Sequence, residues 1–180
     1  MQSDANPVAA VKFPGGGQNT GKFCECAPEA AYWLDPSFPA AAPERQRPMV
    51  APALKTLEVY KPRTTRFPRG AKIAPGIESV PLPGHTPGHT GFMISDGSEQ
   101  VLIWGDIVHS AFLQFAMPTW HYSADVDRDA AAATRLAMFK RAAADKLLIA
   151  GMHLPFPGFG HVVRDGDAFA FAPAPWQPQL

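Results

Sequence analysis

Three short apolar runs in the second half of the chain each lead into a residue type that binds metals. SVPLP at 79–83 runs into Gly84-His85, VLIW at 101–104 into Gly105-Asp106, and LLIA at 147–150 into Gly151-Met152-His153. Runs of this length bounded by Gly and Pro read as strands. If the three are neighbours in one sheet, their ends carry two imidazoles and a carboxylate to one edge. That edge is where open α/β sheets present functional groups. The histidine distribution points the same way: all six lie between His85 and His161, and the first 84 residues contain none.

The rest of the pattern predicts an α/β chain. Residues 1–27 read as a loop-rich start with one short strand around Val8–Phe13. Residues 28–35 suit a short helix with Pro28 at its first position, 36–49 a Pro-rich connector, and 50–61 a second short helix. GIESVPLP reads as a strand, and GFMIS and QVLIW as a hairpin with Asp96-Gly97 at its turn. Residues 127–145 are the strongest helix, rich in Ala, capped by Asp125 or Asp127, with Leu136, Phe139 and Ala143 on one face. HVVR and AFAF read as two final strands, and APAPWQPQL as a loose tail. The expected layout is one partial domain over 1–180: a loop- and helix-rich lead-in to residue 70, a β-rich half over 71–165, and a Pro-rich tail over 166–180.

Composition removes several function classes. With 46% apolar and 18% charged residues in 180, the chain can build a core and is not of disordered type. Lys plus Arg equals Asp plus Glu at 16 each, so the charge footprint of a nucleic-acid or anionic-membrane binder is absent. No apolar run approaches the length of a membrane span. The start lacks a basic segment followed by an apolar stretch, so no signal peptide is expected. Cys24 and Cys26 are too close for a comfortable disulfide and read as free thiols of a reducing compartment, which favours the cytoplasm.

Individual motifs differ in weight. Gly16–Lys22 fits seven positions of a phosphate-binding loop, but Phe23 stands where Ser or Thr should reach magnesium, and FCECAP is poor helix material. A plain glycine loop is the better reading. In PGHTPGHTG at 83–91, Pro87 and the glycines exclude a helix, leaving a stiff loop that aims an imidazole at a fixed point. GMHLPFPGFGH at 151–161 does the same for His153. Taken together, His85, Asp106 and His153 form a His₂-carboxylate set suited to Zn²⁺ or a similar first-row ion.

These residues resemble the C-terminal half of the metallo-β-lactamase-fold hydrolase superfamily, an αββα sandwich, over about residues 71–165. GMHLPFPGFGHV looks most like the branch containing methyl parathion hydrolases and related lactonases. The resemblance implies two metal ions, usually zinc, generating hydroxide that attacks an ester, lactone or phosphotriester-type bond of a small-molecule substrate. Carried over by motif, His85 would bind the first metal, Asp106 would bridge both and carry catalysis, and His153 would bind the second. His89, His109 and His161 inherit no ligand position and read as residues that support ligands or the fold. His121, in PTWHYS, reads as part of a loop near the pocket.

The superfamily's leading H-x-H-x-D-H motif, which supplies further ligands, has no counterpart upstream of His85. The resemblance therefore implies an incomplete fold whose chain begins just after that loop, with neither metal fully coordinated. A missing half would leave a sheet face and edge uncovered, which favours pairing between copies, so a homo-oligomer is the expected protein partner. The alternative is a degenerate, non-catalytic member acting as a binding or interaction protein.

Overall fold

The β-rich runs and the Ala-rich segment build separate layers. The computed structural model describes residues 23–176 except Pro43 and Arg45, so Gly16–Lys22 and the strand expected at 8–13 lie outside the described residues. The lead-in comprises β1 (Phe23–Cys26), α1 (Ala27–Trp33), α2 (Phe38–Ala41), α3 (Arg47–Tyr60) and β2 (Thr64–Phe67). It continues into β3 (Lys72–Ala74), β4 (Ile77–Pro81), β5 (Thr90–Asp96), β6 (Glu99–Ile103) and α4 (Ala111–Gln114). The chain then forms α5 (Arg128–Ala144), β7 (Leu148–Ala150), β8 (Phe159–Asp165) and β9 (Ala168–Pro173).

Among the described residues, β3 to β9 form a sheet in sequence order. Pairing is antiparallel except between β6 and β7, which run parallel because α5 provides the crossover between them. β4 is antiparallel to β5 and β5 to β6, so β4, β6 and β7 all point the same way. Their C-terminal ends therefore share one edge, as the ligand-type residues required.

The pleat sends alternate residues to opposite faces. Met93, Leu102 and Ile149 lie in adjacent register with Val162 and Phe169 further along, and all join the core against Met138, Phe139 and Ala142 of α5. Phe92, one residue from Met93, points to the other face and packs against Cys26 and Phe67 of β1 and β2. α5 thus covers one face, and the small parallel β1–β2 pair covers the other around Phe92, while Val163 of β8 on that face is 41% exposed. Trp33, Phe38, Val50 and Ala53 gather α1, α2 and α3 into a satellite cluster.

Several expectations shift in detail. α1 starts at Ala27, so Pro28 is its second residue, and α3 begins at Arg47 and accommodates Pro52. The connector expected at 36–49 contains α2 and the first turn of α3. The hairpin forms, but its two turn residues are Gly97 and Ser98, with Asp96 already paired to Glu99. Asp127 caps α5, accepting from the Ala130 N–H at 2.9 Å. Its fully buried face carries Arg135, Met138, Phe139 and Ala142, with Leu136 and Ala143 only partly covered. Trp176 in the tail packs its ring on Phe156 and Phe159. Both cysteines are free, and burial pushes the Cys24 thiol up.

Candidate metal centre

The loop 82–89 after β4 is shaped by contacts to two helices. Thr134 of α5 donates its hydroxyl to the Pro83 carbonyl at 2.7 Å. On the other side, Glu29 of α1 takes the Thr86 hydroxyl at 2.6 Å and the Gly88 N–H at 3.1 Å on one oxygen, and the Trp33 indole N–H at 2.8 Å on the other. A Cβ on Gly88 would stand 2.1 Å from the Glu29 nitrogen, so the glycine is what lets the loop reach the helix. Burial raises the Glu29 carboxyl above its ordinary value, with the Thr86 and Trp33 hydrogen bonds pulling the other way.

This loop aims His85 at Asp106. His85 Nε2 lies 3.7 Å from Asp106 Oδ2, and His153 Nε2 lies 3.4 Å from Asp106 Oδ1. Each carboxylate oxygen thus faces a different imidazole. Zinc bonds of about 2.1 Å in a tetrahedral arrangement separate two ligand atoms by about 3.4 Å, so both gaps suit a bridging cation better than a direct hydrogen bond. The three side chains are 20%, 16% and 25% exposed, so each keeps some contact with solvent.

The second histidine of the loop holds the carboxylate in place. His89 Nδ1 donates to the Leu82 carbonyl at 2.9 Å, and its Nε2 accepts the Asp106 backbone N–H at 3.0 Å. Gly105, at φ 59°, places the chain where a Cβ would stand 2.6 Å from that same Nε2. Burial, then repulsion from His85, pushes His89 down to about 4.

His109 comes closer to the centre than motif reading indicates. Its ring stacks on Tyr122 at 3.9 Å and on His153 at 4.9 Å, and lies 4.8 Å from His85. Ligand atoms of Asp106, His109 and His153 all lie within 4.8 Å of one another, as do those of His85, His109 and Asp125. Its Nδ1 is buried without a hydrogen-bond partner, and burial followed by repulsion from His85 pushes the ring down to about 2. Such a group is a neutral imidazole with a lone pair to offer. Gln114, buried in α4, accepts the N–H groups of His109 and Ser110 at 2.7 and 3.0 Å.

The remaining histidines stand apart. His161, expected to support the ligands, donates Nδ1–H to the Leu147 carbonyl at 3.0 Å, just before β7 rather than at the end that leads to His153. His121 pairs with exposed Asp129 at 3.1 Å.

Asp125 and Arg135 were not singled out by motif. Asp125 accepts from His85 Nδ1 at 3.0 Å, and its other oxygen lies 3.6 Å from an Arg135 guanidinium nitrogen. Both side chains are fully buried. An Asp two residues before a cap, and an Arg on an Ala-rich helix, carry no local signal of these positions.

A family model described as the metallo-beta-lactamase superfamily matches residues 24–153. Among solved structures, the hydrolase AbOPH of the beta lactamase superfamily superposes with a TM-score of 0.77 at 31% identity, over 86% of this chain and 55% of that one. AidC, a dizinc quorum-quenching lactonase solved with the product N-hexnoyl-L-homoserine, gives a TM-score of 0.78 at 27% identity, over 86% of this chain and 55% of that one. A probable metal-dependent hydrolase from Staphylococcus aureus shares the fold at a TM-score of 0.52 and 19% identity, over 65% of this chain and 43% of that one. The chain therefore spans 55% of the length of AbOPH and AidC. No curated protein matches it. Among the described residues, no helix is long and apolar enough to cross a membrane.

Proposed function

The chain belongs to the metallo-beta-lactamase superfamily, and from that premise we propose that it acts in metal-dependent hydrolysis of an ester, lactone or phosphotriester-type bond. His85 and His153 hold the metal on either side of Asp106, with zinc as the ion. The observation that carries this reading is the division of Asp106: Oδ2 toward His85 at 3.7 Å and Oδ1 toward His153 at 3.4 Å. The partnerless, buried Nδ1 of His109 and its neutral ring belong to a donor set that fits a first-row cation.

A divalent ion held there supplies Lewis acidity, lowering the pKa of water to about 7 and polarising the oxygen of the bond to be cleaved. The chain's own residues supply orientation. His89 fixes the Asp106 backbone, so the carboxylate stands between the two imidazoles. The stacked rings of Tyr122, His109 and His153 wall one side and limit water there. Met152 and Phe156, on the same loop as His153, are 61% and 77% exposed and leave an apolar rim on that loop. That rim suits an uncharged substrate such as a lactone with an acyl arm, the class on which the lactonase AidC acts.

The test is zinc titration of the full chain, followed by a panel of lactones, esters and phosphotriesters. Zinc binding that Asp106→Ala abolishes, with hydrolysis of at least one substrate class, is the expected result. A chain that takes up no zinc and hydrolyses nothing in its excess sinks the reading. A non-catalytic binding role is the second reading: the grouped ligand atoms of Asp106, His109 and His153 could hold an ion without turning over a substrate. Zinc binding without hydrolysis would support that role.

A further inference from the structure

The segment running from Asp125 to Asp127 grips His85 on two atoms and Gly84 on one. Asp125 Oδ1 accepts from the ring at Nδ1, at 3.0 Å. The Val126 N–H donates to the His85 carbonyl at 3.1 Å, and the Asp127 N–H to the Gly84 carbonyl at 3.0 Å. Arg135 holds this segment and the Asp106 turn together. Its Nε donates to the Ile107 carbonyl at 2.6 Å, one residue after Asp106. Its Nη1 donates to the Pro118 and Trp120 carbonyls at 2.7 and 2.9 Å, on the loop that leads to Asp125. Its Nη2 makes no hydrogen bond and faces Asp125 Oδ2, likewise without one, at 3.6 Å.

A fully buried ion pair is costly unless geometry compensates, and apolar side chains would fill the same space at least as stably. What apolar side chains could not do is select a histidine tautomer. A carboxylate at Nδ1 keeps the proton there and leaves the Nε2 lone pair toward Asp106 and the metal.

We propose that Asp125 is the positioning residue that sets the tautomer and aim of His85, and that Arg135 locks it to the turn bearing Asp106. The role rests on the metal-centre reading above for its purpose, but the tautomer exists with or without metal.

The test therefore has a metal-free arm and a zinc arm on the full chain. In the metal-free protein at about pH 8, where an ordinary histidine is neutral, ring ¹⁵N shifts report the tautomer of His85. The expected result is an Nδ1–H tautomer in wild type and a mixed or Nε2–H ring in Asp125→Asn. An Nε2–H ring in wild type, or an unchanged tautomer in the variant, overturns the inference. In the zinc arm, Asp125→Asn should weaken binding by about 10–100-fold, as loss of a ligand's orienting partner does. Equal affinity in the two proteins also overturns it. Wild type that binds no zinc sinks the metal reading instead, and the tautomer then decides the role of Asp125 by itself. Should Asp125→Asn fail to fold, Asp125→Glu keeps the charge but displaces the carboxylate by one methylene, and wild-type tautomer and zinc affinity both retained would count against the proposal.

Discussion

His89 accepts the Asp106 backbone N–H at Nε2, 3.0 Å away, while its Nδ1–H donates to the Leu82 carbonyl at 2.9 Å. The Nε2 contact requires a neutral ring, because a protonated one would present a second donor to the Asp106 N–H. The environment holds that state: burial and His85 push the ring down to about 4, against the Leu82 carbonyl and the carboxylates of Asp106 and Asp125, which favour the charge. The unfolded chain takes up this proton near 6.5 and the folded chain only near 4. Between those values the unfolded state binds more protons, so stability falls as pH drops. The contribution is up to about 3 kcal/mol. Urea unfolding of metal-free protein should show this loss between about pH 6.5 and 4, and His89→Gln, which cannot titrate, should flatten that part of the profile. An equally steep profile in the variant would refute the assignment.

Arg135 and Asp125 should behave as a unit. Arg135→Met leaves a buried carboxylate without its cation and three carbonyls without their donor, which should cost about 3–5 kcal/mol. Asp125→Leu alone strands the guanidinium in the same way. The double variant removes both buried charges and should cost less than the sum by about 1–3 kcal/mol. A denaturant double-mutant cycle measures this, and strict additivity would mean that the 3.6 Å contact carries no coupling.

The β-rich half was legible because Gly and Pro bound each of its runs and the metal-type residues follow β4, β6 and β7 directly. β1 and β2 were not: FCEC and TTRF are four residues each, and their pairing joins Phe23 to Thr64 across the whole lead-in. The candidate triplet was legible, since His85 and His153 each approach Asp106. Its supports were not. Glu29 reads locally as a first-turn acid of α1, Arg135 as a solvated charge and Asp125 as a spare cap. Only tertiary approach gives each its partner. His109 had a usable signal in its position three residues after Asp106, on the same turn.

Glu29 tests whether the lead-in supports the metal centre. Glu29→Ala leaves the Thr86 hydroxyl, the Gly88 N–H and the Trp33 indole unpaired. The expected cost is about 1–3 kcal/mol, with faster hydrogen exchange at the Gly88 amide in particular. Gly88→Ala should act alike from the other side, because its Cβ would meet the Glu29 backbone at 2.1 Å and force helix and loop apart. Exchange rates unchanged in both variants would show that the loop is held by α5 alone.

Asp106 separates ligand chemistry from fold support. Its side chain is 16% exposed and faces two imidazoles, while its place in the chain is held through its backbone by His89. Removing the carboxylate should therefore spare the fold and remove the cation site. Asp106→Ala and Asp106→Asn should keep the metal-free melting temperature within a few degrees of wild type, since neither touches the His89 bond. Zinc affinity should fall in both, more in Ala than in Asn, because Asn retains an oxygen for one side but carries no charge for either. With a carboxylate that serves both imidazoles, the loss should extend to every bound ion rather than to one. Metal quantification after dialysis at defined free zinc reads this directly. Full zinc content in Asp106→Ala would mean that the imidazoles hold the ion without it, and would remove Asp106 from the centre.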